Sequence, residues 1–208
     1  MIITGQRNAF PGASLGIGAQ SNAAQDALGG LLVSELLARY GHLSVNKALF
    51  SAHANLTAPV IFTTAAGTGG PLIWNGSNNV NVQLLAVGFG LTVASTVAAS
   101  LGITGNNGQA VAPTATTAID SRANMYIGGP ASNSTPYRVG TPLSAGNFFV
   151  PFAELDTAAL TAQPAGMNWI DLGGIVTIPP GAWASIAASV TASTAQINAA
   201  LVYAEVPI

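Results

Sequence analysis

The sequence predicts an all-β protein, a jelly-roll-like β-sandwich preceded by an N-terminal extended arm and one short helix. Large apolar side chains alternate with small ones along Gln83–Val93, which is the period of a strand. After Leu43 short apolar segments are separated by Gly, Pro and Asn, which is typical of sandwiches and jelly rolls rather than α/β enzymes. The predicted boundaries are an arm over 1–20, a helix and connector over 21–42, and the sandwich over 43–208.

The helix is predicted from its caps and from a leucine stripe. Asn22 can cap the N-terminus with Gln25 in the capping-box position, and Gly41 is a natural C-terminal stop. One apolar face is formed by Leu28, Leu31, Leu32 and Leu36. The arm before it contains Pro11 and several glycines and has no clear period.

Each predicted strand follows from an apolar segment between turn residues. In Gln83–Val93 the large face, expected to point into the core, is formed by Leu85, Val87, Phe89, Leu91 and Val93. Its small-residue face carries almost no charge, so we expect it to pack against another sheet or subunit. Further strands are expected at Pro59–Thr64, Pro71–Trp74, Asn147–Glu154, Trp169–Ile178, Ala182–Val190 and Gln196–Val206. Loops are expected at Asn75–Asn79, Gly105–Gly108 and Pro179–Gly181.

The composition is poor in charge. Charged residues make up 6% of the chain, against about a quarter in ordinary globular proteins. A net charge of -2 gives no electrostatic reason to bind nucleic acid or an anionic membrane. Leu84–Ile103 has the length of a membrane span, but its strand-like period and its lack of flanking Lys or Arg predict no membrane helix. Since interface cores are depleted of charge, we expect much of this surface to be covered by other subunits.

The chain offers few groups for chemistry. There is no cysteine, and His42 and His53 lie in no metal-binding pattern. The nearest carboxylate pair, Glu154 and Asp156, fits a solvated loop better than an acid–base pair or a cation site. We therefore predict no catalytic residues, no metal site formed by side chains and no cofactor. Structural calcium bound by backbone carbonyls would leave no signal in the sequence, so it stays open. The aromatic residues Trp74, Trp169, Trp183, Phe148, Phe149 and Phe152 are expected as core anchors, with a sugar site as the alternative.

Four segments of this sequence resemble segments found in a known group of proteins. They are ARYGHLSVNKALFSA (38–52), the aromatic–Asn loop WNGSNN leading into VNVQLLAVGFG (74–90), WIDLGGIVTIPPGAWASIAAS (169–189) and LVYAEVPI (201–208). Together they resemble small structural proteins of tailed bacteriophages that are encoded among head and capsid genes, over residues 28–208. Those relatives often carry a proline where Gly76 stands here. The resemblance implies a jelly-roll-like subunit, trimeric, that decorates or cements a capsid shell.

The function expected from this reading is a non-enzymatic virion protein on the capsid surface. Its partners would be copies of itself, with a trimer favoured, and the shell of the major capsid protein, without nucleic acid or membrane. The residues expected to anchor on neighbours are Ile2, Ile3, Phe10, Leu28, Leu32 and Leu36. The alternatives are a host-recognition module, such as a tail-fibre or spike tip that binds a glycan, and a glycan hydrolase, which would need two converging carboxylates.

Overall fold

The computed structural model describes residues 40, 43–44, 46–62, 69–108, 111–118, 121–142, 144–155, 168–190 and 195–208. The predicted arm, with the helix and connector apart from Tyr40, lies outside these residues, as do all six expected anchor residues from Ile2 to Leu36. The described strands are β1 Leu49–Thr57, β2 Val60–Ile61, β3 Gly70–Trp74, β4 Val80–Val93, β5 Ala99–Asn106, β6 Thr114–Ala118, β7 Ser121–Asn124, β8 Thr135–Thr141, β9 Phe148–Leu155, β10 Asn168–Ile178, β11 Trp183–Ala188 and β12 Gln196–Pro207.

The strands form two sheets that pack as a sandwich. One sheet has the order β10-β4-β12-β1-β7, and the other β6-β8-β3-β11-β5-β9, with β2 alongside β11. Except for the parallel pair of β2 with β11, the pairs are antiparallel. The predicted all-β sandwich is therefore confirmed.

The nested strand pairing is that of a jelly roll. Along the chain, β1 pairs with β12, β3 with β11, β4 with β10 and β5 with β9, as in a long hairpin that is rolled into two sheets. Residues 107–147 are an insertion between β5 and β9. They add β7 beside β1, and β8 and β6 beside β3, so both sheets are extended on the same side.

The main core lies between the sheets and is built from alternating side chains of both. Tyr203 is fully buried there, and its ring stacks on Phe50 with centroids 5.6 Å apart. The largest of the other fully buried side chains in this core are Ile73, Leu84, Leu101, Ile103, Ile178, Ile186 and Ile197.

The face assignment of β4 is wrong at Leu84 and Leu85, and Val93, which was also expected to face the core, is 37% exposed. Leu84 and Ala86 pair with consecutive residues of β12, so Leu85 is an extra residue, a β-bulge. The bulge reverses the alternation: Leu84 and Val87 both point into the core, whereas Leu85 joins Ala86 on the outer face. A regular period of two, read along the sequence, cannot show such an insertion.

The outer face of the five-stranded sheet carries a second apolar cluster, made of Leu49, Leu85, Ala86, Val202 and Ala204. The chain's own Tyr40 and Leu43 pack against it. The hydroxyl of Tyr40 donates a hydrogen bond to Asp171 Oδ1 on β10, at 2.7 Å. The expected covering of this face by another sheet or subunit is thus provided in part by the segment that precedes β1.

The outer face of the other sheet carries a third cluster, centred on the buried Trp183. Trp183 Nε1 donates to Ser144 Oγ at 3.1 Å, which ties the β8–β9 loop to this face. The Phe62 and Phe149 rings lie 5.2 Å apart on the same side. The expectation that the aromatic residues are core anchors is confirmed at Trp183, which is buried, and is wrong at Trp169, which is 57% exposed.

The predicted strands coincide with β2, β3, β4, β9, β10, β11 and β12, although β2 covers only Val60–Ile61. Leu84–Ile103, weighed as a membrane span, belongs to β4 and β5, which lie in opposite sheets. The predicted Gly105–Gly108 loop is wrong in its first half. Gly105 and Asn106 still pair with β11, so β5 ends two residues later than the glycine suggested.

Candidate interaction surface

An exposed apolar tip stands out in the loop between β7 and β8. Its three residues are Met125, Tyr126 and Ile127, with exposed fractions of 48%, 43% and 97%. A side chain such as Ile127 contacts almost nothing in its own chain. Exposed apolar groups of this kind are typical of surfaces that dock on another molecule.

The apolar tip is held in place by backbone and side-chain hydrogen bonds at its base. Asn124 Nδ2 donates to the Lys47 carbonyl at 2.7 Å and to the Pro130 carbonyl at 3.2 Å. The Asn124 Oδ1 atom accepts from the Tyr126 N–H at 2.9 Å. The Gly129 N–H closes a turn on the Tyr126 carbonyl. Both arms of the loop are therefore held by hydrogen bonds at the base of the tip.

Two local features shape the tip, one in the backbone of the turn and one beside the Tyr126 ring. Gly128 has φ 80°, the left-handed conformation that the third position of a type II turn requires. The Lys47 amine lies 5.2 Å from the centroid of the Tyr126 ring, which is a cation–π distance. The charge of Lys47 beside the tip is thus already engaged with one of its rings.

The C-terminal arm of the loop is anchored to Glu205 of β12, which is only 5% exposed. Glu205 Oε1 accepts from Ser132 Oγ at 2.6 Å, from the Ser134 N–H at 2.9 Å and from Ser134 Oγ at 3.1 Å. Its Oε2 atom accepts from Asn133 Nδ2 at 2.8 Å. The Tyr203 hydroxyl donates to Ser132 Oγ at 2.9 Å, which links this network to the core.

These bonds decide the ionisation of Glu205. Burial acts to raise the pKa of the carboxyl, but the hydrogen bonds from Ser132, Ser134 and Asn133 outweigh it and hold the pKa below its ordinary value. Glu205 is therefore an ionised anchor whose oxygens are occupied by the loop. Its chemistry is that of a structural clamp, because four donors already use its lone pairs.

A cavity of about 490 Å³ opens beside the apolar tip. Its walls include the apolar residues Leu43, Phe50, Val80, Pro130, Ala131 and Val206. Asn46, Lys47, Asn133 and Glu205 supply its polar groups. The volume lies within the range of clefts that accept small ligands or a few side chains.

A second junction joins the two loops that carry the sequence resemblance. Asn75 is fully buried, and its Nδ2 donates to the carbonyls of Val80 at 2.8 Å and Ile178 at 2.9 Å. The Gly181 N–H donates to the Asn75 carbonyl, and the Asn75 N–H donates to the Ala182 carbonyl. The aromatic–Asn loop and the Pro179–Gly181 turn are therefore one packed unit.

The candidate chemical groups of the sequence are placed apart from one another. His53 lies half-buried on β1 and Glu154 is exposed on β9, where both its oxygens accept from Ser100 Oγ at 3.1 Å. His42 and Asp156 lie outside the described residues. Within the described ranges, no three His, Asp or Glu side chains form a group that could hold a metal ion. No helix among those residues is long and apolar enough to cross a membrane.

The apolar tip and the Glu205 clamp were not anticipated. The signal for the tip was in the sequence: three large apolar residues directly before Gly128-Gly129-Pro130, where a turn normally carries polar side chains. Glu205 had no such signal, because its donors lie about 70 positions earlier in the chain. The chain matches no protein-family model, no curated protein and no solved structure.

Proposed function

We propose that this chain is a structural subunit of a virus particle, of the capsid decoration or cement type, that acts through contacts with its own copies and with the shell. The observation that carries the proposal is the nested pairing of eight strands in two sheets. This topology is used by viral capsid proteins as well as by lectins and cupins. Fold alone does not decide among those classes, so the choice depends on the surface.

The surface favours assembly. Charged residues make up 6% of the chain, so charge contributes little to keeping single copies apart in solution. Large apolar side chains are nevertheless exposed on several sides, including Ile127 at 97%, Val111 at 65% and Trp169 at 57%. A charge-poor surface with exposed aromatic and aliphatic groups has the composition of interface cores.

The sequence resemblance to phage head proteins points the same way. Two of its four segments meet in the buried unit around Asn75, so they have a common structural reason to be present together. The partners it implies are two further copies in a trimer and the shell of the major capsid protein, on the outer surface of the virion.

A host-recognition module that binds a glycan is the second candidate, and Trp169 favours it. The exposed indole lies on the outer face of the five-stranded sheet, opposite Gly88. Gly88 is in turn opposite Ala200, and Ala200 is opposite His53. Small residues beside an exposed indole leave a flat area on which a sugar ring can stack. Quenching of Trp169 fluorescence by a glycan, lost in W169A, would favour this candidate.

Sedimentation velocity of the full chain at micromolar concentration tests the assembly function. We expect a species of several times the protomer mass of 20.7 kDa. A single species at 20.7 kDa over the whole concentration range would contradict self-association. The same experiment with purified empty shells would show the protein co-sedimenting with them at a saturable ratio.

A further inference from the structure

We infer that the apolar tip of one copy docks into the cavity beside the tip of a second copy. This inference rests on the proposed function, because it names the contact through which the subunit associates with itself. It joins two features at the same end of the sandwich: an exposed apolar projection and a cavity of about 490 Å³ with largely apolar walls.

The tip has the properties of a docking element. Ile127 is 97% exposed, so nothing in its own chain shields it from water. Its loop is fixed by Asn124 at the base and by Glu205 behind Ser132–Ser134. Because the loop is already ordered, binding needs little further loss of conformational freedom.

The cavity suits an aliphatic occupant. The side chains of Leu43, Phe50, Val80 and Val206 give it apolar walls, and Pro130 and Ala131 form the side nearest the tip. Its one carboxylate, Glu205, is saturated by hydrogen bonds from its own chain. An entering side chain therefore meets apolar surface and leaves no buried charge without partners.

A second copy is the occupant that fits this surface. Tip and cavity lie next to each other, so two copies related by a rotation axis near them can each supply a tip and receive one. The two charged groups at the site, Lys47 and Glu205, have opposite signs, so bringing copies together adds little like-charge repulsion. Each copy would therefore supply both halves of the contact, an apolar tip and a cavity with apolar walls.

Matched charge insertions test the contact. Ile127→Asp places a carboxylate on the tip, and Ile175→Asp makes the same change at a 72% exposed isoleucine on β10. Ala131→Trp fills the cavity from its wall. From sedimentation over a range of protein concentrations, we expect I127D and A131W to raise the dissociation constant by about tenfold or more, as for a central interface residue. I175D should leave it unchanged.

Cross-linking gives an independent readout, since the chain has no cysteine of its own. An equal mixture of the I127C and V206C proteins should form a mixed disulfide on oxidation, whereas a mixture of I175C and V206C should not. The I127C and I175C proteins should remain folded, because Ile127 and Ile175 make few contacts within their own chain.

The possible failures are distinguishable. An oligomeric wild type that neither I127D nor A131W weakens would overturn this contact and leave the proposed function standing. A wild type that is monomeric at all concentrations would contradict self-association itself. A monomer that pellets with phosphatidylcholine vesicles, and no longer does so as I127D, would assign the tip to a membrane surface and overturn the proposal.

Discussion

Replacing Asn75 by alanine should destabilise the fold more than its size suggests. The change removes one side-chain amide and leaves two buried carbonyls, those of Val80 and Ile178, without the donors that satisfy them now. Each orphaned buried group costs roughly 1–3 kcal/mol. A water that enters the space can recover part of this, so we expect a loss of about 2–4 kcal/mol in the free energy of unfolding.

Urea unfolding at a fixed protomer concentration measures this loss, with the concentration held constant because the protein is expected to associate. With a slope of about 2 kcal/mol per molar urea, the midpoint of N75A should fall by about 1–2 M. The exposed Asn78, in the same loop, is the matched control, and N78A should stay within about 0.5 kcal/mol of the wild type. If N75A unfolds at the same urea concentration as N78A, the two carbonyls have other partners and the reasoning fails.

Three further predictions follow from the described contacts. The folded-state pKa of Glu205 is below its ordinary value of 4.5, so its contribution to stability is full above that pH and is lost on further acidification. The free energy of unfolding, measured against pH, should therefore fall more steeply on acidification in wild type than in E205Q. G102A should lose about 1–3 kcal/mol in thermal unfolding, because its Cβ would lie 2.5 Å from the Val150 carbonyl, which a side-chain rotation cannot relieve. W183F should be less stable than wild type by about 1–2 kcal/mol, since it loses indole packing and the hydrogen bond to Ser144. A thermal midpoint equal to that of wild type would refute the prediction for G102A or for W183F.

The strands could be predicted from the sequence where large apolar residues alternate with other residues between two turn segments. β4, β10 and β12 are long and apolar, and the sequence predicts each within a few residues of its ends. β1 was not predicted, since LFSAHANLT mixes polar residues into its outer face and ends in a bulge near Leu56. The short β6 and β7 consist of small and polar residues without an apolar pattern. Each forms by pairing with a strand that is not its neighbour in the sequence, β6 with β8 and β7 with β1.

The interaction surface was less predictable than the fold. From the sequence, the apolar residues expected to contact neighbouring subunits lie before residue 40, whereas the exposed tip in the described structure lies at residues 125–127. Covering of the β4 outer face was expected to need another sheet or subunit, but Tyr40 and Leu43 of the same chain lie on part of it. Features that depend on a bulge or on contacts between residues far apart in sequence, such as Leu85 and Glu205, emerge only from the assembled sheets.

Quantitative mass spectrometry of purified virus particles tests most directly the central proposal, that this chain is a decoration or cement subunit. A decoration or cement subunit should be present in many copies, in a fixed ratio to the major capsid protein, and should remain with heads after tails are removed. A few copies that separate with the tails would indicate host recognition instead. Absence from the particles would contradict a structural role in the virion.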